Sequence, residues 1–224
     1  MKLVVVPTPI GNLGDLTPRA AEVLRTADTI YCEDTRESRK LLQHIGSDRP
    51  LIAYHQHNEH QRLDTILSHI RSSQSCALIS DAGMPGISDP GFLLVRACLN
   101  AGIEVECLPG PSAILPALVL SGLPCERFAF EGFLPHKKGR ETRIKAIASE
   151  RRTTVIYESP HRLLKTLSQL EVHCGQERAC SVSRELSKKF EETIRGTLRE
   201  LIAHFTSHEP RGEFVIVLAG HRDE

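Results

Sequence analysis

The sequence predicts an α/β fold in two parts: a first domain with a mostly parallel sheet covered by helices on both faces, and a second α/β domain with a mixed sheet. Three observations predict it. Short apolar runs alternate with helix-period segments through the first half of the chain. Glycine-rich stretches follow several of those runs, where α/β proteins turn from strand to helix. Beyond Ser121-Gly122-Leu123-Pro124 the rhythm changes, and two strand-like runs meet around Lys188-Lys189 with no helix between them, which suggests an antiparallel pair. The expected domains are residues 1–123 and 124–224, with the boundary near Pro124.

Each element has a local reason. Residues 3–6 are an apolar, β-branched run suited to a buried strand. Thr17-Pro18 supplies a hydroxyl cap and a proline at the first helical position, so a helix opens there and runs to about Thr26. Residues 29–32 read as a second strand, followed by a helix over about 36–45 that Gly46 stops. After a third strand at 51–54, Leu63, Ile66, Leu67 and Ile70 recur at helical spacing in a helix over 59–70. Strands at 76–80 and 103–108, with a helix from Phe92 to Leu99 between them, complete the first sheet. In the second half, strands are expected over 128–134, 153–157, 179–184, 192–196 and 214–218. Helices are expected near 140–149, 163–170 and 198–205.

Composition narrows the function classes. The 224 residues include 28 Lys and Arg against 28 Asp and Glu, so the formal net charge is zero. A nucleic-acid partner must then be met by a local basic patch, not by the field of the whole molecule. Seven cysteines occur without a CxxC, which favours neither a disulfide framework nor a zinc site. Cys76, Cys98 and Cys107 lie in apolar runs, where cysteine acts as a small hydrophobe. The run after Met1-Lys2 is too short for a signal peptide core, and no run reaches membrane-spanning length. A reducing cytoplasm is the expected compartment, with no membrane partner.

The stretch from Ser80 to Gly91, SDAGMPGISDPG, joins a strand to an apolar helix and carries three glycines that let a backbone approach a ligand closely. Asp89-Pro90 reads as N-cap and first helical residue. Pro7 to Ala20, PTPIGNLGDLTPRA, follows the first strand but contains neither the GxGxxG of a dinucleotide site nor the GK[ST] of a P-loop. Glu33-Asp34-Thr35-Arg36 closes the second strand and reads equally well as cleft wall or helix cap. In Leu108-Pro109-Gly110-Pro111-Ser112-Ala113, Ser112 is expected as a helix cap or ligand contact. A nucleophilic role is disfavoured, because Ile114 stands where GxSxG requires glycine. His55-Gln56-His57-Asn58-Glu59-His60 looks metal-like, but its histidines straddle a strand end and a helix start, so no metal is expected.

In the second half, Glu158-Ser159-Pro160-His161-Arg162 marks a strand-to-helix junction, with Ser159 as cap and Pro160 at the first helical position. His136-Lys137-Lys138-Gly139-Arg140 with Arg143 is the clearest basic cluster, supplemented by Arg151-Arg152 and Lys188-Lys189. Lys137, Lys138, Arg140 and Arg143 are therefore the best candidates for phosphate contact, as in RNA binding, against the plainer reading of a solvated helix face. Three tyrosines and seven phenylalanines argue against an extended base-stacking platform.

Taken together, PTPIGNLGDLTPRA, EDTR, SDAGMPGISDPG, LPGPSA, EGFLP (131–135) and ESPHR resemble the bacterial 16S rRNA cytidine-2′-O-methyltransferases of the tetrapyrrole-methylase superfamily. The matches recur in order over nearly the whole chain. Many members continue into a C-terminal extension, whereas this chain stops soon after residues 214–220. The resemblance implies a two-domain tetrapyrrole-methylase-like fold, a homodimer, S-adenosylmethionine as cofactor, and 16S rRNA or the small ribosomal subunit as partner. It implies a cofactor folded between the domains. The first domain would hold it with Pro9, Ile10 and Gly11, with Asp81, Ala82, Gly83, Met84, Pro85, Gly86, Ile87 and Ser88, and with Ser112 and Ala113. Phe133, Leu134 and Tyr157 would close on it from the second domain.

A free ribose hydroxyl is a weak nucleophile, so a base that takes its proton would accelerate transfer by roughly 100-fold to 10,000-fold. Asp34, Asp81, Glu158, His161 and Glu185 lie at or near expected strand ends, and Asp34 and Glu158 are preferred as catalytic acids on the two sides of the cleft. Three alternatives stay open at this level. One is a superfamily methyltransferase acting on a tetrapyrrole or other small molecule; another is a non-catalytic RNA-binding or ribosome-assembly factor; the third is a hydrolase built on Ser112.

Overall fold

The computed structural model describes residues 1–55 and 59–222, and the side chains of residues 59–61 lie outside that description. The chain forms two compact units, Met1–Ser112 and Ala113–Glu224.

In the first unit five strands, β1 (Lys2–Val5), β2 (Thr29–Cys32), β3 (Leu51–Ala53), β4 (Ser75–Leu78) and β5 (Glu104–Cys107), form an all-parallel sheet of order β3-β2-β4-β1-β5. Its helices are α1 (Pro18–Thr26), α2 (Thr35–His44), α3 (Glu59–Ser72) and α4 (Phe92–Asn100). Alternation along the strands sends side chains to opposite faces. Val4, Ile30, Cys32 and Ala77 pack on Ala20, Leu24 and Leu42 of α1 and α2. Leu3, Val5, Tyr31, Cys76 and Leu78 pack on Ile66, Ile70, Leu94 and Cys98 of α3 and α4. Two-sided burial is why these strands read as near-continuous apolar runs. Thr17 caps α1 by accepting the Ala20 N–H at 3.1 Å, as its sequence predicts.

The second unit has the helix α5 (Ile114–Ser121) and a mixed sheet of order β6-β7-β10-β8-β9. Its strands are β6 (Phe128–Phe133), β7 (Thr153–Glu158), β8 (Ala179–Arg184), β9 (Glu192–Thr197) and β10 (Phe214–Leu218). Only β6 and β7 pair in parallel, and β8 and β9 form the antiparallel pair expected around Lys188-Lys189. The helices α6 (Arg140–Ser149), α7 (Leu163–Cys174) and α8 (Leu198–Ser207) bury Ile144, Leu163, Leu167, Leu170, Leu201 and Phe205 against Ile156, Val182 and Ile216. A capping box opens α8: Thr197 and Glu200 satisfy each other's backbone N–H.

Three expectations are corrected here. The units divide between Ser112 and Ala113, not near Pro124, because α5 packs on β8, β9 and β10. Its buried Ala117 and Leu118 belong to the second unit, and Arg195 of β9 donates to the Leu120 carbonyl. Second, α4 begins at Phe92 after Gly91 (φ +143°), so Asp89-Pro90 is not its cap. Ser112 and Ser159 are likewise not caps, since α5 follows Ala113 and α7 follows Arg162, neither with a side-chain cap. Third, Cys107 ends an edge strand and is exposed, unlike the buried Cys76 and Cys98.

Candidate functional site

The strand order places a switch point between β2 and β4. From β2 the chain crosses by α2 to β3 on one side, and from β4 it crosses by α4 to β5 on the other. The connections diverge there, which opens a crevice at the carboxyl ends of adjacent parallel strands. The loop leaving β4 and the loop leaving its other neighbour, β1, are the glycine-containing segments singled out in the sequence. They are tied together: Thr8 N–H donates to the Gly83 carbonyl and Gly83 N–H to the Thr8 carbonyl, each at 2.9 Å. Thr8 Oγ1 also donates to the Ser80 carbonyl at 3.0 Å. The loop after β5 packs on the same corner, since a Cβ added to Gly110 would lie 2.9 Å from Pro7 Cβ.

Within Ser80–Gly91, Gly83 (φ +78°) and Gly86 (φ +83°) turn the backbone left-handed. Gly83 is buried, yet a Cβ added there would make only an ordinary contact, 3.6 Å from Ile10 Cγ2. Gly91 is different, because an added Cβ would lie 3.0 Å from the Gly86 nitrogen and 3.2 Å from Leu78 Cδ2. Asp81, Ala82, Ile87 and Ser88 are exposed along this loop, Met84 and Gly86 are half-buried, and Pro85 is buried. Pro9 and Ile10 are half-buried beside it and Gly11 is exposed.

Acidic side chains gather at the ends of β2 and β4. Asp34 caps α2 by accepting the Arg36 N–H at 2.8 Å, and the Arg36 guanidinium pairs with it at 2.8 Å. Those bonds hold its carboxyl down at about 2. Asp34 is thus a cap already committed to a cation, a poor proton acceptor, and the expectation of a catalytic role for it is not supported. Its own N–H donates to Asp81 Oδ1 at 3.1 Å. Burial raises Asp81 and Glu33 above the ordinary carboxylate range. Asp89 is pushed up to about 6, first by burial and then by the charges of Glu33 and Asp81. Sequence reasoning took Asp89 for a cap. Only the fold could show that its carboxyl is held among two others.

In the second unit a β-bulge at Glu131 shifts the β6 register, so Gly132 faces Ile156 and Phe133 faces Tyr157. The Tyr157 ring lies 5.1 Å from that of Phe130 and 5.5 Å from that of Phe133. Phe133, Leu134, Pro135, His136, Ser159, His161 and Arg162 line a cavity of about 660 Å³.

Beneath it, Glu158 is 2% exposed. Its carboxylate pairs with Arg162 Nε at 2.9 Å and accepts Thr166 Oγ1 at 2.6 Å and Ser159 N–H at 2.8 Å. A carboxylate so enclosed and so fully bonded holds structure, and the expectation that it acts as catalytic base is corrected. Arg140 is corrected too. It is 4% exposed and donates to Gln169 Oε1, the Pro135 carbonyl and Thr166 Oγ1, at 2.8, 3.2 and 2.6 Å. No RNA phosphate reaches a guanidinium enclosed in this way. Arg143 is spent on Glu131 at 3.1 Å, Arg152 on Glu150 at 2.7 Å and Lys188 on Glu185 and Glu213. Lys137 and Lys138 are exposed, as expected.

The segment 55–60 falls largely outside the described residues. Among the described residues no group of His, Cys, Asp and Glu could hold a metal ion, and no helix is long and apolar enough to cross a membrane.

Residues 2–202 match the tetrapyrrole (corrin/porphyrin) methylases. The chain belongs to that family. Within the tetrapyrrole methylases it stands among proteins named ribosomal RNA small subunit methyltransferase I. It is 52% identical to the one from Synechocystis sp., over 99% of this chain and 80% of the relative. The Escherichia coli O157:H7 relative is 49% identical over 99% and 78%, and that of Thermotoga maritima 44% over 98% of each. Among solved tetrapyrrole-methylase folds, uroporphyrin-III C-methyltransferase from Thermus thermophilus, complexed with S-adenyl homocysteine, has a TM-score of 0.68 at 20% identity, covering 98% of this chain and 97% of its own. Diphthine synthase has a TM-score of 0.76 at 15% identity, covering 99% and 92%. At such identities the likeness is one of fold.

Proposed function

We propose that the chain is an S-adenosylmethionine-dependent methyltransferase that methylates the ribose 2′-hydroxyl of a cytidine in 16S rRNA. One observation carries this reading: the switch point of the first sheet coincides with the glycine loop Ser80–Gly91, in a chain about half identical to proteins named ribosomal RNA small subunit methyltransferase I. The residues suit the cofactor. Gly83 holds a left-handed backbone at φ +78°, and the Thr8–Gly83 bridge fixes the two loops before any ligand arrives. Pro9, Ile10, Gly11 and the run Asp81–Ser88 are its proposed contacts, with Ser112, and Ala113, Phe133, Leu134 and Tyr157 are proposed as further contacts.

When bound, S-adenosylmethionine supplies a methyl group on a sulfonium, open to in-line displacement. The chain's residues must then hold the ribose oxygen opposite that sulfur, keep water out and receive the proton. Positioning of this kind can account for up to about 7–11 kcal/mol.

With Asp34 and Glu158 committed elsewhere, and Glu185 bonded to Lys188 and the Glu213 N–H, Asp81 is the acid we assign as base. It lies on the proposed cofactor loop, and desolvation raises its carboxyl above the ordinary carboxylate range. Asp81→Asn keeps the acceptor for the Asp34 N–H. Single-turnover transfer at saturating cofactor should fall by roughly 100-fold to 10,000-fold. An unchanged rate would remove Asp81 from the role.

Lys137 and Lys138 are the proposed phosphate contacts. A homodimer is proposed on the exposed Leu115 and Val119 of α5. Sedimentation of the wild-type protein as a monomer at micromolar concentration would contradict it.

A further inference from the structure

The loop 185–191 between β8 and β9 is held by a dense set of hydrogen bonds and ion pairs. Glu185 and Ser187 hold left-handed backbones (φ +49° and +67°) without being glycine. Such residues cost of order 1–3 kcal/mol each and persist where the surroundings fix them. Here the surroundings do. Glu185 N–H donates to the Glu213 carbonyl at 3.0 Å, and Glu185 Oε1 accepts from Glu213 N–H and Lys188 Nζ, both at 3.0 Å. Lys188 N–H donates to the Glu185 carbonyl and Glu191 N–H to the Lys188 carbonyl, at 2.9 and 3.1 Å. Leu186 is buried beneath them.

Two side chains point the other way. Phe190 is 63% exposed, and Lys189 Nζ sits 5.6 Å from the centre of its ring. A rigid frame that presents one aromatic face and one ammonium is an arrangement that stacks on an unpaired base and steadies its phosphate. The nearby acids do not oppose it singly: Glu185 and Glu213 are paired with Lys188, Glu192 with Arg184, and Glu191 accepts the Ser187 N–H.

Position supports the same role. Phe214, the first residue of β10, faces Glu158 of β7 on one side and Arg184 of β8 on the other. The loops leaving β7 and β8 therefore emerge at the same end of the sheet, two strand spacings or ~10 Å apart. Phe133 pairs with Tyr157 at that end too, so the cavity and the Lys137–Lys138 turn share it.

We propose that Phe190, with Lys189 beside it, is a stacking contact for an unpaired base of the RNA substrate. This rests on the rRNA reading. It requires one ring, not the aromatic platform that composition disfavours.

The test uses the intact protein with Phe190→Ala, Phe190→Leu and Phe190→Trp, binding a fluorescent single-stranded RNA 12-mer of mixed sequence and the same 12-mer as a duplex. Phe190→Ala should weaken single-strand binding by about 5- to 150-fold. Phe190→Trp should restore it to within about 2-fold, and Phe190→Leu, which keeps apolar bulk without a ring, should not. Duplex binding and cofactor affinity should be unchanged. Equal affinity of all variants for the single strand overturns the inference, as does absence of wild-type binding. So does loss of self-association in Phe190→Ala, which would make the ring a contact between copies. Methyl transfer to unmodified small ribosomal subunits separates the two levels. Equal turnover by wild type and Phe190→Ala removes the stacking contact alone. No turnover by any variant removes the rRNA reading with it.

Discussion

Asp89 shows how position in the fold, rather than residue type, sets chemistry. Burial and two neighbouring carboxylates raise it to about 6, so the folded protein holds its proton more tightly than the unfolded chain does. Its contribution to stability is fully present below about pH 4 and is lost as pH rises through about 6. Asp89→Asn, neutral at every pH, should leave the melting temperature near that of wild type at pH 4 and raise it above pH 6. A difference independent of pH would contradict this. Arg140 carries the opposite lesson: a basic residue in a basic run, yet enclosed and bonded at all three nitrogens. Arg140→Ala should cost about 3–5 kcal/mol in chemical denaturation, because it strips a cation from beside the buried Glu158. Lys137→Glu with Lys138→Glu should leave stability within about 0.5 kcal/mol. Equal losses from the two changes would overturn the distinction.

At the scale of elements, most of the secondary structure was legible because each strand and helix carries its own periodicity and punctuation. Thr17-Pro18 announces α1, and the ranges 140–149, 179–184 and 214–218 coincide with α6, β8 and β10. The misses share a cause. Asp89-Pro90, Ser112 and Ser159-Pro160 all look like caps, but at each the helix cap falls one to three residues further on, a shift with no local signal. The glycines of the Ser80–Gly91 loop were legible as a group, whereas their separate jobs were not. Gly91 is fixed by backbone crowding, and Gly83 by its left-handed backbone. Gly83→Val should therefore leave a cooperatively folded protein and weaken S-adenosylmethionine binding by at least tenfold in calorimetry. Wild-type affinity in that variant would remove the loop from the site.

For the whole molecule, the sequence carries the number of sheets and their character, but not where one unit ends. The helix α5 is almost wholly apolar and lies between two strands, so nothing local says which sheet it covers. Its packing on β8, β9 and β10 settles that. A fragment of residues 113–224 should show cooperative thermal unfolding, whereas one of residues 124–224, lacking α5, should not. Cooperative unfolding of both would return the boundary to Pro124. Which acids are open to chemistry was equally hidden, since Asp34, Asp81 and Glu158 look alike until their partners are known.

The activity proposed for this chain is methyl transfer to small-subunit RNA. Transfer from radiolabelled S-adenosylmethionine to unmodified small ribosomal subunits, with the RNA then mapped for ribose methylation, puts it to the test. Label on the 2′-oxygen of one cytidine of 16S rRNA, dependent on Asp81, is the expected result. Measurable cofactor binding with no label in the RNA would contradict it and favour a small-molecule acceptor.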